Sequence, residues 1–145
     1  AGDNSKKWPL EKFIELANKQ ASKNRIPVFF IGPKEKFLIE KIKNKVSSAI
    51  FPEWTNKAIS SGLKGPILAI ALAKQLKVAV ANDSGTGHMF AVGGTKLISL
   101  FSKHNPTKYA PNAIKLLIID SKKYGGKDPN LIPLEPVVKS IEKLL

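Results

Sequence analysis

The chain has no cysteine and a single arginine, Arg25, among 145 residues. Without thiols it forms no disulfide and offers no thiolate to a metal. The other basic residues are all lysine. Readers of nucleic acid lean on arginine, whose planar fork meets guanine edges and phosphates bidentately. Specific nucleic-acid recognition is therefore not expected. No apolar run approaches the roughly 18 to 20 residues that span a bilayer, and the opening Ala-Gly-Asp-Asn-Ser-Lys-Lys lacks the apolar core of a signal peptide. A cytoplasmic protein is expected. Acidic residues are scarce, 11 against 24 basic ones, which leaves a net charge of +13. That excess favours anionic partners, whether polyanion, anionic membrane surface or phosphorylated small molecule. A solvated lysine-rich surface has the same signature.

The residues present give one domain's length of alternating patterns. Residues 12–21 place Phe13, Ile14, Leu16 and Ala17 on one helical face, with Pro9 suited to the first turn. Residues 26–31, Ile-Pro-Val-Phe-Phe-Ile closed by Gly32-Pro33, predict a strand buried on both faces. Helical spacing returns over 35–46. A short strand is expected near 58–60, and a well-buried helix over 66–76. Lys77 to Asn82 predicts a strand, followed at once by Asp83-Ser84-Gly85-Thr86-Gly87-His88 and a short apolar helix stopped by Gly93-Gly94. Two more buried strands are expected over 96–101 and 113–120, and a closing helix over 134–145. The fold class is thus α/β: a Rossmann-like, mostly parallel sheet with helices on both faces. In such sheets ligands bind where the loops gather at the carboxyl ends of the strands, which points to Asp83–His88.

At a strand-to-helix joint the first helical amides face the crevice with the positive end of the helix dipole behind them. Gly85 and Gly87 let a diphosphate approach the backbone and permit positive φ, while Ser84 and Thr86 add hydroxyls. His88, one turn in, is placed to support a departing diphosphate. Plainer roles fit the same residues: Asp83 or Ser84 as a helix cap, the glycines as turn formers, His88 as a structural histidine. The spacing matches neither the dinucleotide fingerprint nor the P-loop. At the amino end, Lys6-Lys7-Trp8-Pro9 sets lysine before a helix, either reaching the same crevice or solvated beside a packing tryptophan.

Together these features resemble glycosyltransferase family 9, the ADP-heptose:lipopolysaccharide heptosyltransferases. Lys6-Lys7-Trp8-Pro9 is similar to that family's Lys-x-Trp-Pro segment, and Asp83-Ser84-Gly85-Thr86-Gly87-His88 to its Asp-Ser/Thr-Gly-x-x-His signature. Phe101-Ser102-Lys103-His104-Asn105-Pro106 matches the third segment, Phe-Gly-Pro-Thr-x-Pro, only in part. The resemblance implies the carboxyl-terminal half of a glycosyltransferase-B fold, with residues 1–145 as the donor domain and the acceptor domain absent from the chain. It implies inverting transfer of a heptose from ADP-heptose to a lipopolysaccharide core acceptor, at the inner face of the inner membrane. Lys6 would neutralise the diphosphate and Asp83 would bind the sugar or order the loop. Ser84, Gly85, Thr86 and Gly87 would supply phosphate donors, with His88 supporting the loop or the leaving diphosphate. Glu35 would meet the ribose hydroxyls, and Lys64 would lie near the base. No metal or other cofactor is implied, in keeping with the lack of an Asp-x-Asp pair. No catalytic residue is assigned to this chain, because the general base belongs to the acceptor domain. The family's domain opens with a strand ahead of Lys-x-Trp-Pro, so a partner chain is expected along the sheet edge. A non-catalytic nucleotide- or sugar-binding remnant, or one subunit of a split transferase, is the alternative.

Overall fold

The computed structural model describes residues 4–145; residues 1–3, at the expected start of the domain, lie outside them. After a 3-10 turn at Asn4–Lys6, α1 spans Leu10–Ala21 and α2 Leu38–Lys45; α3 is Asn56–Ser60 and α4 Gly65–Ala73. The sheet follows: β1 (Ala79–Asn82), α5 (Gly85–Val92), β2 (Leu97–Phe101), α6 (Pro106–Tyr109) and β3 (Leu116–Asp120). α7 (Leu134–Leu144) closes the chain. The three strands pair in parallel in the order β1-β2-β3, with Ala79 opposite Leu97 and Leu97 opposite Leu116.

Strand alternation sends side chains to two covered faces. On one, Ile98, Leu100 and Ile119 meet Trp8 and Leu16 from the amino-terminal region and Val137 and Ile141 from α7. On the other, Ala79, Ala81 and Leu97 pack on Ala73 of α4 and Phe90 of α5. Small alanines on β1 let these two helices lie close. Their carboxyl ends meet at Gly93, where an added Cβ would sit 2.8 Å from Ala73 Cβ and 2.9 Å from the Ile70 carbonyl. α5 starts at the carboxyl end of β1 and the two helices finish together, so α4 also starts on that side.

Several expectations are corrected. Residues 26–31 form no regular strand; Val28 makes a single parallel bridge to Ile50. The run is apolar, but Pro27 has no N–H to donate, and Ile26 is 70% exposed rather than covered. Residues 58–60 belong to α3, whose Thr55 accepts the Ala58 N–H as its cap, so no strand forms there. α4 is not well buried: Leu68, Ala69 and Ala73 are enclosed while Ile67 is 65% exposed. β3 is largely half-buried, because among the described residues it has a strand neighbour on one side only. Helical spacing over 35–46 resolves into a 3-10 turn at Pro33–Glu35 and then α2.

Candidate functional site

The loops leaving β1, β2 and β3 converge with the segment that precedes α1. The link is one hydrogen bond: the Trp8 backbone N–H donates to Asn82 Oδ1 at 2.9 Å. Trp8 is held by its own burial, at 2% exposure, and by its indole N–H donating to the Ile132 carbonyl at 3.0 Å. Lys6 and Lys7, both half-buried, therefore lie beside the turn that follows β1. Lys7 Nζ pairs with Glu35 Oε2 at 3.4 Å. Burial disfavours charge on Glu35, and the Lys7 ammonium beside it opposes that effect.

The turn itself is open. Asp83 is 7% exposed, its N–H committed to the Leu100 carbonyl at 2.9 Å. Ser84 occupies the position before α5 in an extended conformation and makes no side-chain cap bond. Neither capping alternative therefore accounts for the first amides of α5, those of Gly85, Thr86 and Gly87, which have no acceptor within the helix. Gly85 and His88 are exposed; Ser84 and Thr86 are half-buried. The anticipated positive φ is absent, for both glycines sit within the helix and neither adopts that conformation. Gly85 instead provides clearance, since a Cβ there would meet nothing nearer than Met89 Cε at 3.9 Å. Gly87 is buried against the Ala81 Cβ and the Asn82 carbonyl, at 3.6 and 3.7 Å from a Cβ position. It serves the packing of α5 on β1.

His104 was legible in the sequence only as a departure in the third motif. The structure sets its Nδ1 2.6 Å from Asp83 Oδ2. At that distance the imidazole is the carboxylate's partner, while Ser102 Oγ is enclosed with no hydrogen-bond partner among the described residues. Enclosed polar atoms of this kind gather where a ligand or ordered water completes the set. The loop bearing His104 is fixed by Lys122 Nζ, which donates to the Ser102 and His104 carbonyls at 2.6 and 3.0 Å. Lys103 Nζ reaches back to Ser5 Oγ at 2.7 Å, joining this loop to the amino-terminal segment. Glu53 belongs to no motif of the sequence. Burial pushes its carboxyl up, against the opposing effect of the Ile31 backbone hydrogen bond, and Oε1 is enclosed without a partner among the described residues. Lys64 precedes α4 and is exposed at the same end of the sheet.

Fixed amides, two lysines and a buried carboxylate around an open turn suit a ligand with a diphosphate at one end and hydroxyls at the other. Among the described residues no three His, Asp or Glu side chains gather as a metal cluster. The architecture is that of a Rossmann-like α/β domain with its crevice at the carboxyl ends of parallel strands.

The sequence profile of glycosyltransferase family 9 (heptosyltransferase) matches residues 1–130, and the chain belongs to that family. It is 26% identical over 159 aligned positions to the lipopolysaccharide core heptosyltransferase OpsX of Haemophilus influenzae, covering 96% of this chain and 44% of that enzyme. Its fold is similar to that of a glycosyltransferase family 9 protein from Veillonella parvula, with TM-score 0.80, 22% identity, and 99% of this chain on 43% of that one. It is also similar to the E. coli heptosyltransferase WaaC solved with ADP, with TM-score 0.78, 15% identity, and all of this chain on 42% of that one. The chain spans less than half the length of these relatives.

Proposed function

We propose that this chain is the sugar-nucleotide-binding half of a heptosyltransferase, taking ADP-heptose for inverting transfer to a lipopolysaccharide core acceptor. The observation that carries this reading is the Trp8–Asn82 hydrogen bond. In it Trp8, which follows the lysine segment, meets Asn82, which precedes the Asp83–His88 turn, across 74 residues of chain. Lys6 meets the diphosphate charge while the Gly85, Thr86 and Gly87 amides and the Ser84 and Thr86 hydroxyls donate to its oxygens. Such preorganised donors stabilise charge that grows on a leaving diphosphate, and His88 at the rim adds to them. Asp83, steadied by His104, accepts from sugar hydroxyls. Glu35, steadied by Lys7, accepts from the ribose. The group that deprotonates the acceptor hydroxyl is assigned to an acceptor domain outside this chain. In support stand the family membership and a fold shared with a relative solved with ADP.

Thermal-shift titration with ADP, UDP and GDP tests the reading. ADP should raise the melting temperature more than UDP or GDP, and Lys6→Ala and Asp83→Ala should each abolish the shift. No stabilisation by any nucleotide would end it. The alternative, a binding subunit without activity of its own, is separated by assaying transfer with and without an amino-terminal half. Sugar release from ADP-heptose by this chain alone favours the enzyme.

A further inference from the structure

The loop after β2 sets an imidazole against the buried carboxylate of the crevice. With His104 Nδ1 2.6 Å from Asp83 Oδ2, the ring N–H donates to the carboxylate. That bond fixes the tautomer. While Nδ1 donates, the neutral ring has a bare lone pair at Nε2, and only the imidazolium carries an N–H on both nitrogens. The ring is held in place from two further directions. Tyr109 of α6 packs on it with centroids 4.6 Å apart and planes at 31°. Lys122 Nζ holds the His104 carbonyl at 3.0 Å. The His104 side chain is nevertheless 40% exposed, so it exchanges protons with solvent, whereas Asp83 is enclosed.

Asp83 stands two residues before Gly85, which opens α5. The helix end that attracts a diphosphate therefore has a carboxylate beside it, and like charges in a partly dry site repel. The other charged groups near the imidazole do not switch that repulsion. Lys122 pairs with Asp120 at 3.2 Å, Lys103 turns to Ser5 Oγ, and Lys108 lies over the Tyr109 ring at 5.6 Å. Lysines, tyrosines and carboxylates ordinarily keep one charge state between about pH 5 and 8, and histidine does not. We propose that His104 is a positioning residue for the diphosphate, the Asp83–His104 pair taking up a proton from solvent as a sugar nucleotide binds. The proton resides on the imidazole, where it offsets the Asp83 charge and holds the carboxylate for the sugar hydroxyls. Because the two groups are in contact, the uptake belongs to the pair. The inference rests on the diphosphate reading of the crevice and adds a residue and a proton to it.

Calorimetric titration of the full chain with ADP-heptose tests it, in paired buffers of different ionisation enthalpy, so that proton uptake appears as a difference in heat. Both phosphates of this ligand are esterified and do not titrate in the histidine range, as the terminal phosphate of ADP does. Wild type should take up a proton and bind about tenfold more tightly near pH 5 than near pH 8, the scale on which one added charge moves a neighbouring ionisation. His104→Asn keeps an N–H for Asp83 Oδ2 but takes no proton. It should bind with no uptake and a flat pH profile. His88→Gln removes the chain's other histidine and, whatever it does to affinity, should keep the uptake. Circular dichroism reports whether each variant is folded. A purely structural His104 would leave wild type without proton uptake, and that result overturns the proposal with no variant needed. Undiminished uptake in folded His104→Asn overturns it too, as does loss of uptake in folded His88→Gln. Failure of ADP-heptose to bind at any pH overturns the diphosphate reading itself, whereas binding without uptake overturns this inference alone.

Discussion

Asp83 is buried, and a carboxylate withdrawn from water needs compensating partners. Its position after β1 gives it His104 on one side and the start of α5 on the other. At this scale the sharpest test is Gly85→Ala. The added methyl meets nothing nearer than 3.9 Å, and alanine is favoured over glycine in a helix by up to about 1 kcal/mol. The free chain should therefore hold or gain stability, while ADP-induced stabilisation falls because the methyl stands where phosphate must approach. Equal losses in both measurements would instead mark Gly85 as purely structural. Trp8→Ala is expected to lower stability and ligand binding together. Emptying so buried an indole site costs about 3–5 kcal/mol, visible as a lowered urea midpoint, and the lysine segment should lose its place with it. Trp8→Phe should be milder, since Lys12 Nζ also donates to the Ile132 carbonyl, at 2.9 Å.

Among the elements, β1 has a strand on one side only within the described residues. The N–H groups of Ala79 and Asp83 donate to carbonyls on the β2 side, so by strand alternation those of Val80 and Asn82 point the other way. Hydrogen exchange should accordingly show Ala81 protected, with Val80 and Asn82 exchanging faster in dilute solution. If a partner chain pairs along this edge, Val80 and Asn82 should become protected as protein concentration rises. Exchange independent of concentration in a strictly monomeric sample would count against that pairing. The α4–α5 contact gives a second test: Gly93→Ala forces a Cβ to within 3 Å of both Ala73 and the Ile70 carbonyl, an overpacking expected to cost about 1–3 kcal/mol. A third concerns α7, where Glu142 pairs with Arg25 and Lys23. Arg25 first, then Lys23, lowers its carboxyl to about 2 from 4.5. A depressed carboxylate favours the folded state above its ordinary pKa and loses that contribution as pH falls toward the folded value. Glu142→Gln should therefore flatten part of the decline in melting temperature between pH 4.5 and about 2. An identical decline in wild type and variant would show the pair to be energetically silent, as exposed pairs sometimes are.

For the whole molecule, +13 on a 145-residue chain means mutual repulsion that compactness makes worse. Adding salt from low ionic strength should raise the melting temperature of the free chain, because screening relieves repulsion that outweighs the few exposed ion pairs. A melting temperature that falls with salt would mean the pairs dominate.

The joint from β1 through Asp83–His88 into α5 was readable from residues 77–94, since a short apolar run, a Gly/Ser turn and a double glycine stop are all local signals. The helices at 10–21 and 134–144 were readable for the same reason, each having one apolar face. Residues 26–31 misled because an apolar run reports burial rather than pairing, and only the neighbouring chain decides whether a ladder forms. α4 misled in the opposite sense: its composition is apolar all round, but the fold covers just one side of it. Glycine at 85 and 87 permits positive φ, but the helix begins early enough to make both ordinary helical residues. Composition and local pattern thus determined the fold class, the order of the main elements and which turn offers bare amides, because these depend on near neighbours in the chain. Contacts over long separations were decided by tertiary structure alone. Trp8 on Asn82, His104 on Asp83 and Lys7 on Glu35 arise from the registry of packed elements, which no short window of sequence encodes.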